Sequence, residues 1–237
     1  MTNIETITID HTDGAPLAPD DVRVALARAV QTARGVIARI DGANAERATP
    51  CAPWTVGDLG RHLVGVFHRV AAAPSGADLL AFPLLADIDI AHVAAEFDRA
   101  VGASHVAWSD DATLGQMIDA PFGTLPGAVV LGIWATEPLV HTRDLAVAMG
   151  VEPTWPMPDV EMSLAATMAE MPPTGRPAEV PFADRVDIAD DAPAIDRLAA
   201  YLGRDVSAWR SRTTSSPTTK LNRSESSKPS GSSCALR

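Results

Sequence analysis

The stretch Val130-Leu131-Gly132-Ile133-Trp134-Ala135-Thr136-Glu137-Pro138-Leu139-Val140-His141-Thr142-Arg143-Asp144-Leu145 decides how this chain folds. At about 100° per residue, Val130, Ile133, Trp134, Glu137, His141, Asp144, Leu145 and Ala148 fall within one third of a helical circumference. The spacing predicts a helix from about Gly127 to Met149, stopped by Gly150, a residue suited to the left-handed position after a helix end. Three ionisable side chains, Glu137, His141 and Asp144, interrupt this apolar face. A buried unpaired carboxylate is costly, so Glu137 needs a compensating partner. A metal ion would serve, and so would a hydrogen-bonded histidine. Glu137 and His141 are four apart, one turn above each other. Pro138 lies inside the run, so the helix either kinks there or restarts with Pro138 in its first turn.

Working outward, the other segments are helical too. After Pro19, the residues Val22, Leu26, Ala29, Val30, Ala33, Ile37 and Ile40 recur at helical spacing until Asp41-Gly42. A second helix starts at Thr55, where Thr55-Val56-Gly57-Asp58 reads as a capping box and Trp54 as the preceding staple residue. Its stripe is Val56, Leu59, Leu63, Val66, Phe67 and Val70, with His62 at the edge. A third helix is expected over Asp89 to Val101, a fifth over Asp159 to Met171, and a short last one over Ala192 to Leu202. Leu114 to Pro126, with Pro121, Gly123 and Pro126, reads as a loop or an irregular hairpin.

Composition agrees with an all-α fold. Of 237 residues, 46% are hydrophobic and 5% aromatic, and alanine is abundant. The net charge is −11, with no basic stripe, which argues against nucleic-acid binding. Residues 1–210 hold 14 arginines, no lysine and 29 acids, a net −15, whereas residues 211–237 carry +4. Thirteen of those last 27 residues are Ser or Thr, a composition that cannot bury enough apolar surface to fold. The expected organisation is a flexible N-terminus over 1–17, a helical domain over 18–210 and a disordered tail over 211–237. The tail's lysines also fit a frameshifted or vector-derived end. The N-terminus lacks a basic region followed by an apolar run, and the longest apolar stretch, Gly127 to Ala135, is too short to cross a bilayer. A cytoplasmic location with no membrane partner is expected. Two cysteines, Cys51 and Cys234, imply no disulfide framework.

The chemistry-bearing set is His62, Glu137 and His141. A histidine on one helix, facing a carboxylate and a histidine on another, can hold a divalent metal with three protein ligands. That count leaves a position open, as in catalytic zinc sites. On pattern alone the alternative stands beside it: both histidines as ordinary core residues in a hydrogen-bonded cluster. Asp144 is the candidate catalytic group, either orienting His141 from behind or assisting proton transfer. It reads equally as a helix-surface carboxylate paired with Arg143 or Arg61. Cys51 is a candidate fourth ligand or, more simply, a buried structural thiol. His68, His92, His105 and His11 lack a comparable setting, and His92 with Glu96 reads as a surface pair.

Pro50-Cys51-Ala52-Pro53-Trp54-Thr55-Val56-Gly57-Asp58-Leu59-Gly60-Arg61-His62-Leu63 resembles the first metal motif of the mycothiol-dependent maleylpyruvate isomerase family, and Glu137-Pro138-Leu139-Val140-His141-Thr142-Arg143-Asp144-Leu145-Ala146 resembles the second. These relatives belong to the DinB/YfiT-like superfamily, and Asp191-Ala192-Pro193 through Gly203-Arg204 is similar to the C-terminal end of an uncharacterised branch. The resemblance covers about residues 20–210. It implies a four-helix bundle with one or two short extra helices, and a divalent metal, zinc by family habit, on His62, Glu137 and His141. It further implies a metal-dependent enzyme acting on a small-molecule substrate with a low-molecular-weight thiol such as mycothiol as co-substrate, of transferase or isomerase type. Metal-dependent hydrolysis and a non-enzymatic metal-binding module with a regulatory or sequestering role stay open. The sequence does not fix an oligomeric state. Two departures stand out: Arg143 sits where relatives commonly carry Trp, and the region after Gly150 is shorter than the isomerase's C-terminal domain.

Overall fold

The structure is a computed structural model that describes residues 17–18, 20–177 and 180–209. The expectation for 1–17 therefore lies almost wholly, and that for the tail over 211–237 wholly, outside the described residues. Among the described residues the α-helices are α1 (Val22–Ile37), α2 (Val56–Ala72), α3 (Val93–Ala107), α4 (Asp111–Gly115), α5 (Gly127–Met149), α6 (Met157–Glu170) and α7 (Ala194–Tyr201). One antiparallel hairpin pairs β1 (Met117–Ala120) with β2 (Gly123–Pro126), in register Met117 to Pro126. Of the two readings of this stretch, the hairpin holds. It is too small to change the all-α character.

The four long helices form a closed ring: α1 packs on α5, α5 on α2, α2 on α3 and α3 on α1. Their shared core contains Leu26, Val30, Leu59, Leu63, Phe67, Phe97, Val101, Leu131 and Trp134, all buried. Phe67 and Phe97 meet edge to face with centroids 5.2 Å apart, a favoured aromatic geometry. Trp108 closes one end of the ring and donates its indole N–H to the carbonyl of Val70 at 2.7 Å. That anchor explains why α3 runs to Ala107 rather than stopping at Val101. Its start shifts from Asp89 to Val93, because Asp89 caps a preceding 3-10 turn, Ile90–His92.

The second half of α5 departs from the one-face expectation. Every residue from Glu137 to Ala146 is buried. The reason is a second apolar cluster on the other side, where Leu139 and Val140 meet Val160 and Leu164 of α6 and Ile195, Leu198 and Ala199 of α7. A helix covered on all sides loses its polar face. Ile133, placed inward by the wheel, is 36% exposed. The helix is continuous through Pro138, so of the two expectations the restart does not occur. Arg28 of α1 ties α6 down through Asp159, with N–O distances of 2.6 and 2.7 Å.

Candidate metal centre

Local sequence fixes the position of His62. Thr55 Oγ1 accepts from the Asp58 amide at 3.2 Å, and Asp58 Oδ2 accepts from the Thr55 amide at 3.1 Å, so the capping box forms and sets where α2 begins. His62 follows on the inward side, fully buried. Its Nδ1 lies 3.0 Å from the carbonyl oxygen of Leu84. A carbonyl only accepts, so Nδ1 carries the hydrogen and Nε2 keeps its lone pair. The segment that supplies this carbonyl is strapped to α2. Arg69 donates to the carbonyls of Leu79 and Phe82 at 3.2 and 2.7 Å, and Arg61 Nε donates to that of Ile88 at 2.9 Å. Gly65 permits the close approach: a Cβ there would sit 3.0 Å from the Leu84 oxygen and 3.1 Å from that of Pro83.

Helix α5 brings the other two residues. His62 Nε2 is 3.4 Å, and His141 Nε2 3.2 Å, from the same atom, Glu137 Oε2. The two imidazoles meet edge-on with centroids 4.9 Å apart. All three donors lie within 4.8 Å of one another and are buried. The structure thus brings together the three residues expected from the sequence. Ligand-to-ligand edges of a zinc tetrahedron with bonds of roughly 2.0–2.1 Å are about 3.3 Å. A charge-assisted hydrogen bond is shorter, about 2.7–2.9 Å. The two measured contacts match the tetrahedral edge, and two imidazoles plus one carboxylate are a donor set suited to zinc. By geometry and chemistry, the residues present fit such an ion.

Trp54, read from sequence as a staple, also faces the site. Its partly buried ring lies 4.5 Å from that of His62 and 6.2 Å from that of His141. Burial pushes His62 down, toward the neutral form a metal requires. Burial also disfavours charge on His141, but Asp144 and Glu137 outweigh it and hold His141 above the ordinary histidine value. Burial would raise Glu137, yet the two imidazoles hold its carboxyl well below the usual carboxylate range.

Asp144 is not on the surface. Its side chain is fully buried, and its Oδ2 accepts from Arg204 Nε at 3.2 Å and Nη2 at 3.1 Å. The same Oδ2 is 3.7 Å from His141 Nδ1. Arg143 Nη1 is 3.7 Å from Asp144 Oδ1, while Arg143 gives Nε and Nη2 to Asp196 of α7 at 3.1 and 2.9 Å. Arg61 faces Asp58 instead, at 3.8 Å. Of the five buried side-chain nitrogen or oxygen atoms without a hydrogen-bond partner among the described residues, four belong to His141, Thr142, Arg143 and Asp144. Such clustering is typical of a site shaped for more than stability. Cys51 is buried, and its Sγ comes within 4.8 Å of donors on His141 and Asp144. His92 does not pair with Glu96, whose partner is Arg99 at 2.6 Å. Among the described residues, no helix is long and apolar enough to cross a membrane.

The sequence model of the family described as "Mycothiol maleylpyruvate isomerase N-terminal domain" matches residues 26–146. Two uncharacterized proteins of Mycobacterium tuberculosis, MT0763 of strain CDC 1551 / Oshkosh and Rv0738 of strain H37Rv, are each 35% identical over 162 residues, covering 67% of this chain and 84% of theirs. Among solved structures, a mycothiol-dependent maleylpyruvate isomerase aligns with a TM-score of 0.48 at 13% identity, over 63% of this chain and 69% of that one. A DinB-like protein from Bacillus cereus ATCC 10987 aligns with a TM-score of 0.43 at 14% identity, over 62% of this chain and 97% of that one.

Proposed function

This chain belongs to the mycothiol maleylpyruvate isomerase N-terminal domain family, and from that premise we propose that it is a metal-dependent enzyme using a low-molecular-weight thiol such as mycothiol. His62, Glu137 and His141 would hold one divalent ion, with zinc favoured by the two imidazoles and the carboxylate. The observation that carries the reading is the convergence of His62 Nε2 and His141 Nε2 on one oxygen of Glu137, at 3.4 and 3.2 Å, in a buried setting. A zinc ion held by these three residues would supply an open coordination position and the charge to activate a thiol at neutral pH. The chain's own residues do the rest. Leu84 fixes the His62 tautomer. Asp144 stands behind His141 and orients it, a positioning role rather than a contact with substrate, because its carboxylate is sealed from solvent. The buried surroundings keep water from competing with the thiol. The reaction class is thiol transfer or isomerisation of a small electrophile.

Elemental analysis of purified protein tests the metal. About one zinc per chain is expected, and His62→Ala should lose it. Less than about 0.1 metal per chain, unchanged by the substitution, would sink the reading. Calorimetric titration of the zinc form with mycothiol then separates an enzyme from a sequestering module: heat saturating at one thiol per zinc supports the thiol step, and no binding refutes it.

A further inference from the structure

Arg204 lies outside the segment that matches the family, residues 26–146, yet its guanidinium is 2% exposed and reaches the carboxylate behind a metal-ligand histidine. We propose that Arg204 is a positioning residue for the metal centre: it clamps Asp144 in place and thereby sets how His141 presents its Nε2. The proposal rests on the metal reading above.

The clamp has several parts. Arg204 Nε and Nη2 both bond Asp144 Oδ2, at 3.2 and 3.1 Å, a two-pronged grip on one oxygen. Arg204 Nη1 donates to the carbonyl of Leu202 at 2.8 Å, Nη2 lies 3.7 Å from Cys51 Sγ, and the guanidinium sits 5.7 Å from the Phe182 ring centroid. The guanidinium is therefore held from several sides before it meets Asp144. The turn that aims it inward depends on Gly203, whose φ of +86° and contact with Ala183 leave no room for a side chain: a Cβ would stand 2.7 Å from that of Ala183. The Arg204 amide also bonds the carbonyl of Ala199, which registers the turn against α7. A planar fork is suited to fixing a carboxylate, and a point charge on a flexible stem is not. On the far side of the grip, Asp144 Oδ2 lies 3.7 Å from His141 Nδ1, an ionic contact longer than a hydrogen bond, and no other group bonds that nitrogen among the described residues. Carboxylates in this place fix the ring orientation of metal-bound histidines, and losing such support typically costs about 10- to 100-fold in metal affinity.

The neighbouring pair Arg143–Asp196 provides the control. It also ties α7 to α5, and it reaches Asp144 only through Arg143 Nη1, 3.7 Å from the other oxygen, Oδ1, rather than at the gripped Oδ2. A purely structural role for Arg204 would be mimicked by loosening α7 there.

The test measures zinc affinity by chelator competition at fixed pH on the full chain, with the ligand-field spectrum of the cobalt-loaded protein as second readout. Arg204→Met is expected to weaken zinc binding about 10- to 100-fold and to shift the cobalt spectrum. Asp196→Asn is expected to lower the melting temperature and leave both readouts in place. Unchanged affinity and spectrum in Arg204→Met overturn the proposal, as does an equal loss in Asp196→Asn. If Arg204→Met does not fold, Arg204→Lys carries the test: it keeps the charge without the fork, so weaker zinc binding supports the proposal and wild-type affinity overturns it. Failure of the unaltered chain to bind zinc overturns the metal reading itself, and this proposal with it. Normal zinc binding that ignores Arg204 overturns this proposal alone.

Discussion

The Nδ1 of His62 lies 3.0 Å from the carbonyl oxygen of Leu84, and this single bond decides which nitrogen of the ring turns toward Glu137. Leu84 contributes no side-chain chemistry to the site. Its backbone oxygen does the positioning, held in place by the arginines of α2.

Gly65 is the place to disturb that relationship from a distance. In Gly65→Ala the new methyl would meet two backbone oxygens, of Pro83 and Leu84, at 3.1 and 3.0 Å. The strap must shift, and overpacking of this kind costs about 1–3 kcal/mol. Chelator competition should show weaker zinc binding than in wild type, alongside a lower urea midpoint. A variant that loses stability but keeps full zinc affinity would show that the strap does not orient His62.

The capping box gives the converse case. Thr55→Ala removes the Oγ1 half of the box, its bonds with the Asp58 amide and carboxylate, and should cost about 1 kcal/mol, within a range of roughly 0.5–2. Metal content should stay at one per chain, since six helical residues, Val56 to Arg61, still intervene between cap and ligand. Urea denaturation with and without chelator measures both.

The opposite shifts of Glu137 and His141 define a pH window for the metal-free protein. Glu137 is depressed, so its contribution is present above its ordinary value of 4.5 and is lost as pH falls through its folded value. His141 is raised, so its contribution is full below its ordinary value of 6.5 and is lost as pH rises through its folded value. Pairing of the two charges therefore stabilises the metal-free fold most between about pH 4.5 and 6.5. Thermal melts in chelator across pH should show the alkaline decline, and His141→Gln should flatten it.

Proton release follows from the same charges. A ligand must be deprotonated to bind, so metal competes with the proton that Asp144 and Glu137 favour on His141. Zinc titrations in buffers of different ionisation heat should report proton release that grows as pH falls toward the acidic side of neutrality. Zinc affinity should fall as pH drops further. A count of zero would mean that His141 is already neutral.

Much of this centre was legible in the sequence because its determinants are local or periodic. The Thr55-to-Asp58 box, the Gly150 stop and the four-residue spacing of Glu137 and His141 are read within a turn or two, and the two motifs placed His62 with them. Arg204 was not legible in the same way. It lies far along the chain from Asp144, obeys no period, and only the packing of α7 on α5 brings the two together. Without that partner Asp144 looked as much like a surface carboxylate as a buried one. The ring of Trp54 over His62 was not legible for a related reason: a staple at a helix start has the same local sequence whether or not its ring also reaches a site. The all-round burial of α5 came from α6 and α7, whose docking no single-helix wheel can show.

The inward turn at Gly203 has a consequence for how portable this centre is. Every donor atom sits on α2 and α5, so a transplant of those helices into another scaffold would look complete on paper. It would carry the hands of the site and leave behind the wrist. The ligands and their alignment are encoded in separate stretches of chain, and a host that supplies only the first should bind metal loosely until something in it takes the place of Arg204.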